Sequence, residues 1–378
     1  MSIKQDVDPN IADAARRAAA VAARYATEVD IEERFPEEAL AALSEEGLLG
    51  LAVPKEYGGL GANSRTASLV VEEVAAACAS TGAILLTWAG PITGLVDFGT
   101  SEQKSKYLPE IAAGRCKLSF ALTEEHCGSD AGAITTTAVL DGDHYVLDGK
   151  KAWIGNAINA DLTLVAAKTD PTARAKGVSS FLVENGTAGL AVEEIYSKMG
   201  ARGTKHGDLV LRAVRVPRAQ LLGQEGRGLA QMLQSLDYIR LMTAAHALGI
   251  ARSAYEAAVG YAKTREVFGS RLHKNQAISF LIADCATQLH ASRLIMLDAA
   301  ADLDAGKSIG AKAAMAKLHS SEIATRIAHA SVQVHGAWGL KKGNAAERAY
   351  RDARITEVWD GTSEIQKLII AREIFGRD

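Results

Sequence analysis

The chain has 378 residues, 48% of them hydrophobic and 23% charged, with a net charge of −3. That length can bury a core large enough for two or more domains, and the alanine-rich composition favours helix. The small net charge excludes a global attraction to nucleic acid or to a membrane surface. Cys78, Cys116, Cys127 and Cys285 are scattered without paired spacing, which argues against zinc sites and disulfide frameworks and fits a reducing compartment. No apolar run reads as membrane-spanning, and Met1-Ser2-Ile3-Lys4-Gln5-Asp6 lacks the apolar core of a secretory signal. The expectation is a soluble cytoplasmic protein with no metal, no nucleic-acid partner and no membrane contact.

Helical patterning runs to about residue 117. Ala12 to Ala26 is mostly alanine and arginine, Pro36 to Leu49 repeats apolar residues at helical spacing, Ser68 to Ser80 reads as a buried helix and Ser101 to Ala113 as an amphipathic one. Pro54 to Gly61 is a loop by its glycines. The middle changes character. Thr135 to Leu140, Asp141-Gly142-Asp143 and His144 to Leu147 form a strand-turn-strand pattern, and Leu162 to Ala167, Val178 to Val183, Leu190 to Ile195 and Leu209 to Val216 add strands. A mostly antiparallel β domain of about a hundred residues follows, a small barrel or paired sheets. From Leu229 helix returns: Met232 to Val267, Gln276 to Ala305, Gly310 to His335 and Ala345 to Ile355 predict a helix bundle. The alanines at 244, 245 and 247 and at 311, 313, 314 and 316 suit tight bundle packing, with a subunit interface as the alternative. The fold class is therefore α+β, mainly α, with expected domains 1–117, 118–228 and 229–378.

Three stretches carry chemistry. Phe120 to Asp130 is an apolar strand ending in a loop of hydroxyls, glycine and acid, whose N–H groups suit a phosphate or a carbonyl-bearing ring. Lys151-Ala152-Trp153-Ile154-Gly155-Asn156 ends the next hairpin; Trp153 there suits stacking on a flat cofactor, and by itself core packing is the commoner role. Near the C-terminus, Trp359-Asp360-Gly361-Thr362-Ser363-Glu364-Ile365-Gln366 sets a carboxylate on a turn at a helix start, with a glycine that lets a substrate approach the backbone. No Walker loop or Rossmann glycine pattern is present, and His126, His206, His273 and His335 lack metal-ligand spacing.

Together these stretches resemble the acyl-CoA dehydrogenase family over nearly the whole chain. Leu122-Thr123-Glu124-Glu125-His126-Cys127-Gly128-Ser129-Asp130 is similar to the family's Thr-Glu-Pro-x-x-Gly-Ser-Asp signature, and residues 151–156 to Lys-x-Trp-Ile-Thr-Asn. Lys198 to Gly203, Val216-Pro217 and Leu222-Gly223 match the close of the β domain, Arg265 to Gly269 with Gln276 and Gln333 to Gly339 match two C-terminal motifs, and Arg351 to Arg354 leads into the Asp360 segment. The resemblance implies a helical domain, a β domain and a four-helix domain, assembled as a homotetramer with FAD between β domain and C-terminal helices. Leu122, Thr123, Gly128, Ser129, Trp153 and Gly155 would lie at the flavin or its phosphates. Arg265, Phe268, Gln276, Gln333, Gly336 and Ala337 would reach the FAD of a neighbouring subunit, and Thr362 and Glu364 would lie near the cofactor. Ser129, Asp237, Arg240 and Gly361 are the implied substrate contacts. Asp360 would abstract the α proton of an acyl thioester, carried on coenzyme A or acyl carrier protein, beside Gly361, with the enolate held by the Asp360 N–H and a ribityl hydroxyl. An electron-transfer flavoprotein or other acceptor would reoxidise the flavin.

The chain departs from the family at three places. Its base is aspartate where glutamate is usual, shortening the reach by about 1.5 Å. Where other branches place a base on a C-terminal helix, this chain has Ile239, which cannot serve. Gly155 replaces a threonine that commonly offers its hydroxyl to flavin N5, and Glu125-His126-Cys127 replaces a Pro-Gly-Ala-like run. The aspartate also matches nitroalkane oxidases, although Lys367 stands where those carry arginine. An inactive flavin-binding scaffold is the non-catalytic alternative.

Overall fold

The computed structural model describes residues 8–376; the Met1 to Asp6 start lies outside them. Five helices open the chain: α1 (Pro9–Ile31), α2 (Glu37–Glu45), α3 (Ser64–Ala77), α4 (Ala79–Phe98) and α5 (Ser101–Ala112). The stretch expected as one helix to Leu49 stops earlier, because Gly47 turns left-handed at φ +70° before a short 3-10 segment at Leu48–Gly50. The stretch to Ser80 likewise breaks at Cys78, which is extended. Helix α4 corrects the reading that no segment is long and apolar enough to span a membrane. By length and composition it is, and 83% of the qualifying window is buried inside the protein. It is a core helix: Ile84, Leu85, Leu86, Trp88, Ile92 and Leu95 join the main hydrophobic cluster.

The strands follow: β1 (Leu118–Ala121), β2 (Thr137–Asp141), β3 (His144–Gly155), β4 (Leu162–Lys168), β5 (Val178–Glu184), β6 (Leu190–Ile195), β7 (His206–Pro217) and β8 (Leu221–Leu222). They form one eight-stranded sheet in the order β6-β7-β3-β2-β4-β5-β8, with β1 joined in parallel to β4. The turn at Gly142 (φ +63°) closes the β2–β3 hairpin as its Asp-Gly signal predicts. The second arm then continues to Gly155, so Lys151–Gly155 ends this same strand rather than a separate hairpin. Irregular register against β7 falls between Lys151 and Ile154. A bulge re-aims the side chains around it, and Trp153, at φ +59°, turns outward here.

The C-terminal bundle is α6 (Gly228–Thr264), α7 (Gln276–Asp304), α8 (Gly310–His335), α9 (Ala345–Ile355) and α10 (Ser363–Phe375), with a small β9–β10 hairpin (Glu266–Val267, Ser270–Arg271) after α6. Ala244, Ala245, Ala247, Ala313, Ala314 and Ala316 are wholly buried within the chain. The alanine runs thus serve close helix packing. Helix α6 starts directly on the sheet: a Cβ at Gly228 would lie 2.4 Å from the Ser179 carbonyl carbon of β5. That close approach locks the bundle to the β domain and brings the three chemical stretches together.

Candidate active site

The Asp360 turn is built by its neighbours. Asp360 adopts φ +55° and Gly361 +92°. A Cβ at 361 would also meet Gln366 Nε2 at 2.8 Å, so glycine is required twice over. Gln366 is fully buried on α10, and its Nε2 donates to the carbonyls of Asp360 at 3.2 Å and Gly361 at 2.7 Å. From α8, the buried Lys317 Nζ donates to the same Gly361 carbonyl at 2.7 Å. Thr362 caps α10 through the Ile365 N–H. These contacts hold a strained two-residue turn in one shape.

Asp360 itself is half-buried and accepts one hydrogen bond, from the Thr243 hydroxyl of α6 at 2.7 Å. Burial pushes its carboxyl pKa above the usual range, while Thr243, Lys317 and Arg240 draw it down without cancelling that rise. The result is a more basic carboxylate than an exposed aspartate. No acceptor among the described residues takes the Asp360 N–H. Burial lowers the Lys317 pKa to about 8. Arg240 is buried and donates to Asp237 at 2.6 Å, so these two expected substrate contacts are paired with each other.

Trp359 ties this turn to the sheet. Its ring lies 5.3 Å from His246 of α6 and 6.5 Å from His206 of β7. His206 stands opposite Gly155 in the β3–β7 register. The Gly155 carbonyl accepts from Ser119 Oγ at 2.8 Å, and the Thr123 carbonyl accepts from the Ala152 N–H at 3.0 Å. The Thr123 loop, the end of β3 and the Asp360 turn therefore belong to one region. The loop is anchored by Glu124, whose two oxygens accept from the N–H and hydroxyl of Thr135 and Thr136 and from Lys151 Nζ at 2.7 Å. Burial raises its pKa, but Lys151 and these donors overcome the rise and hold it at about 2.

Glu124, His126 and Cys127 place three potential metal ligands within 4.8 Å, a cluster that histidine spacing does not reveal. The carboxylate is already saturated by five donors, and burial raises the Cys127 thiol pKa. Cys127 behaves as a small buried side chain, and His126 Nε2 bonds the Ala133 carbonyl at 3.1 Å.

The exposed surface here suits a flat cofactor. Trp153 is 55% exposed and stacks on Tyr196 at 4.2 Å, so it is a presented ring rather than core. Gly128 and Ser129 are exposed, and a Cβ at 128 would meet only the Thr123 methyl, at 3.9 Å. Gly155 is bare beside them. The residues present fit FAD: an aromatic face, a loop of free N–H groups and a glycine that adds no side chain of its own. Arg265 and Phe268 at the β9–β10 hairpin, Gln276 at the start of α7, and Gln333, Gly336 and Ala337 at the end of α8 are exposed; Glu364 and, partly, Thr362 are exposed near the turn. Sequence reasoning missed Thr243, His246 and Lys317, took Gln366 only as part of the Asp360 stretch, and weighed His206 only as a metal ligand. Lys317 left one signal: a cation at helical spacing from Ala313, Ala314, Ser320 and Ser321, on a small-residue face.

Comparison with known proteins agrees over nearly the whole length. The N-terminal, middle and C-terminal domain models of acyl-CoA dehydrogenase match residues 8–115, 119–214 and 226–375. The mitochondrial short-chain specific acyl-CoA dehydrogenase of Bos taurus is 44% identical over 92% of this chain and 84% of its own. Butyryl-CoA dehydrogenase from Megasphaera elsdenii superposes with a TM-score of 0.95 at 33% identity, over 98% of this chain and all of that one. A chain solved with work on the electron transferring flavoprotein of Acidaminococcus fermentans superposes at 0.94 with 35% identity, over 99% of this chain and all of that one. The chain belongs to the acyl-CoA dehydrogenase family, FAD-dependent oxidoreductases.

Proposed function

We propose that this chain dehydrogenates a short acyl-CoA thioester at its α and β carbons, with Asp360 as the proton-abstracting base. The carrying observation is the Asp360 carboxylate, raised in pKa by burial and bonded, among the described residues, only to the Thr243 hydroxyl. A base works best when its pKa approaches the working pH, and a single donor leaves it lone pairs for a substrate proton. FAD, when bound, supplies the acceptor for the β hydride. The free Asp360 N–H meets the thioester oxygen as the α proton leaves. Lys317 and Gln366 keep that N–H and the carboxylate in register by fixing the turn's carbonyls. Arg240, held by Asp237, contributes positive charge near the carboxylate, and Ser129 and Gly361 contact the substrate.

Leu122, Thr123, Gly128, Ser129, Trp153 and Gly155 hold the flavin and its phosphates in this reading, with Thr362 and Glu364 beside it. Exposed Phe268, on a left-handed turn, with Arg265, Gln276, Gln333, Gly336 and Ala337 supports a homotetramer in which this face reaches a neighbour's FAD. Coenzyme A is the carrier and an electron-transfer flavoprotein the acceptor, consistent with the names of the similar proteins. A cytoplasmic location belongs to the same proposal. Anaerobic titration of the FAD-loaded protein with butyryl-CoA tests the reaction: bleaching of the visible flavin band is expected. No bleaching by any acyl-CoA overturns it, and rapid oxygen uptake with nitroethane would point to nitroalkane oxidation instead.

A further inference from the structure

Position 155 is bare, yet the space above it is filled from elsewhere. In an antiparallel pair, directly opposed side chains share a face of the sheet, and His206 is the residue opposite Gly155. With no side chain at 155, the imidazole leans over it: a Cβ there would lie 3.3 Å from His206 Nε2 and 3.5 Å from the Thr87 hydroxyl of α4. The other side of the ring is spoken for. Nδ1 lies 3.5 Å from both the carbonyl and the hydroxyl of Thr204, and that hydroxyl's one proton goes to the Ala201 carbonyl at 2.8 Å. Nδ1 must therefore carry the ring proton toward Thr204, leaving a lone pair on Nε2, which has no protein donor among the described residues.

We propose that His206 is a flavin-contacting residue, presenting its Nε2 lone pair at the floor left open by Gly155 and favouring the reduced cofactor. The inference rests on the flavoprotein reading above. At N5 a reduced flavin carries an N–H that an acceptor stabilises, whereas an oxidised flavin has there only a lone pair that an acceptor repels. Both effects raise the midpoint potential. Burial supports the role by holding the His206 pKa down at about 3, so the ring stays a neutral acceptor. Trp359 flanks the same imidazole, placing it between the cofactor face and the Asp360 turn.

The test is spectroelectrochemical titration of FAD-loaded protein. His206→Leu is expected to lower the midpoint potential by about 30 mV, a tenfold change in the two-electron equilibrium, and to shift the visible flavin band. His206→Gln, which keeps an acceptor, is expected to recover most of that change. An unchanged potential in His206→Leu with full FAD content overturns the proposal. Should His206→Leu lose FAD or fold, Gly155→Ala decides: its methyl displaces the imidazole, and an unchanged potential there overturns the proposal equally. Wild-type protein that binds no FAD would instead overturn the flavoprotein reading.

Discussion

Two carboxylates in this chain sit close to buried lysines and end in opposite states. Glu124 accepts five hydrogen bonds, one of them from Lys151, and its pKa is held at about 2. Asp360 accepts one, from Thr243, while Lys317 reaches past it to the Gly361 carbonyl, and its pKa is raised. Burial acts in the same direction on both. The difference lies in the Lys151 charge bonded directly to Glu124 and in how many further donors reach its oxygens, which decides whether a buried acid is an anchor or a base. The anchor shapes the loop that bears Thr123 and Gly128, and the base keeps lone pairs free for chemistry.

The strongest way to break this contrast is to remove each function in turn. Asp360→Asn is expected to lower kcat by about 10²–10⁴-fold, the range of general-base contributions, with FAD content and fold unchanged; single-turnover flavin reduction measures it. Lys151→Met strands the Glu124 charge, and breaking such a pair from one side is expected to destabilise by about 3–5 kcal/mol, seen in urea denaturation. Glu124 also makes stability depend on acid. Its folded pKa lies below the ordinary 4.5, so the contribution is complete above that value and is lost as pH falls toward 2. Asp360→Glu sharpens the contrast further. The Thr243 hydroxyl sits 2.7 Å from the aspartate oxygen, and the added methylene carries the carboxylate about 1.5 Å past it. A displacement of that size is expected to lower kcat about a hundredfold, even though glutamate is the family's usual base.

The same contrast marks what sequence could disclose. The element types were legible because hydrophobic period and turn chemistry are local: the Asp-Gly hairpin, the strands from Leu162 to Val216 and the four long C-terminal helices all formed. Helix boundaries were less so, since the breaks at Gly47 and Cys78 arise from a left-handed glycine and an extended residue between two helices. In the site, Asp360, the Thr123 loop and Trp153 were legible as motifs that fold into one region. Thr243, Lys317 and His206 were not, because each acts across a distance in sequence that only packing closes. Lys317 lies 44 residues from the carbonyl it bonds, and no spacing rule connects them.

The smaller predictions concern how the base is tuned, and pH is the readout. The proton-abstracting form of Asp360 is the carboxylate, so kcat/KM should rise with pH through its raised pKa. Lys317 lowers that pKa by its charge; Lys317→Met should therefore move the acid limb to higher pH, and a limb that stays in place would separate Lys317 from the base. The variant also frees one of two bonds on the Gly361 carbonyl, leaving Gln366 to hold the turn. Thr243→Val is expected to have the smallest effect. It deletes one hydroxyl donor to a charged acceptor, a bond of about 1.5–3 kcal/mol, but substrate binding can realign a carboxylate that Gly361 and Gln366 still position. The acid limb should again move upward, with kcat at high pH lowered less than in Asp360→Glu. A Thr243→Val enzyme whose pH profile superposes on that of the unaltered chain would show that the hydroxyl does not tune Asp360, leaving burial and the Lys317 and Arg240 charges to do so.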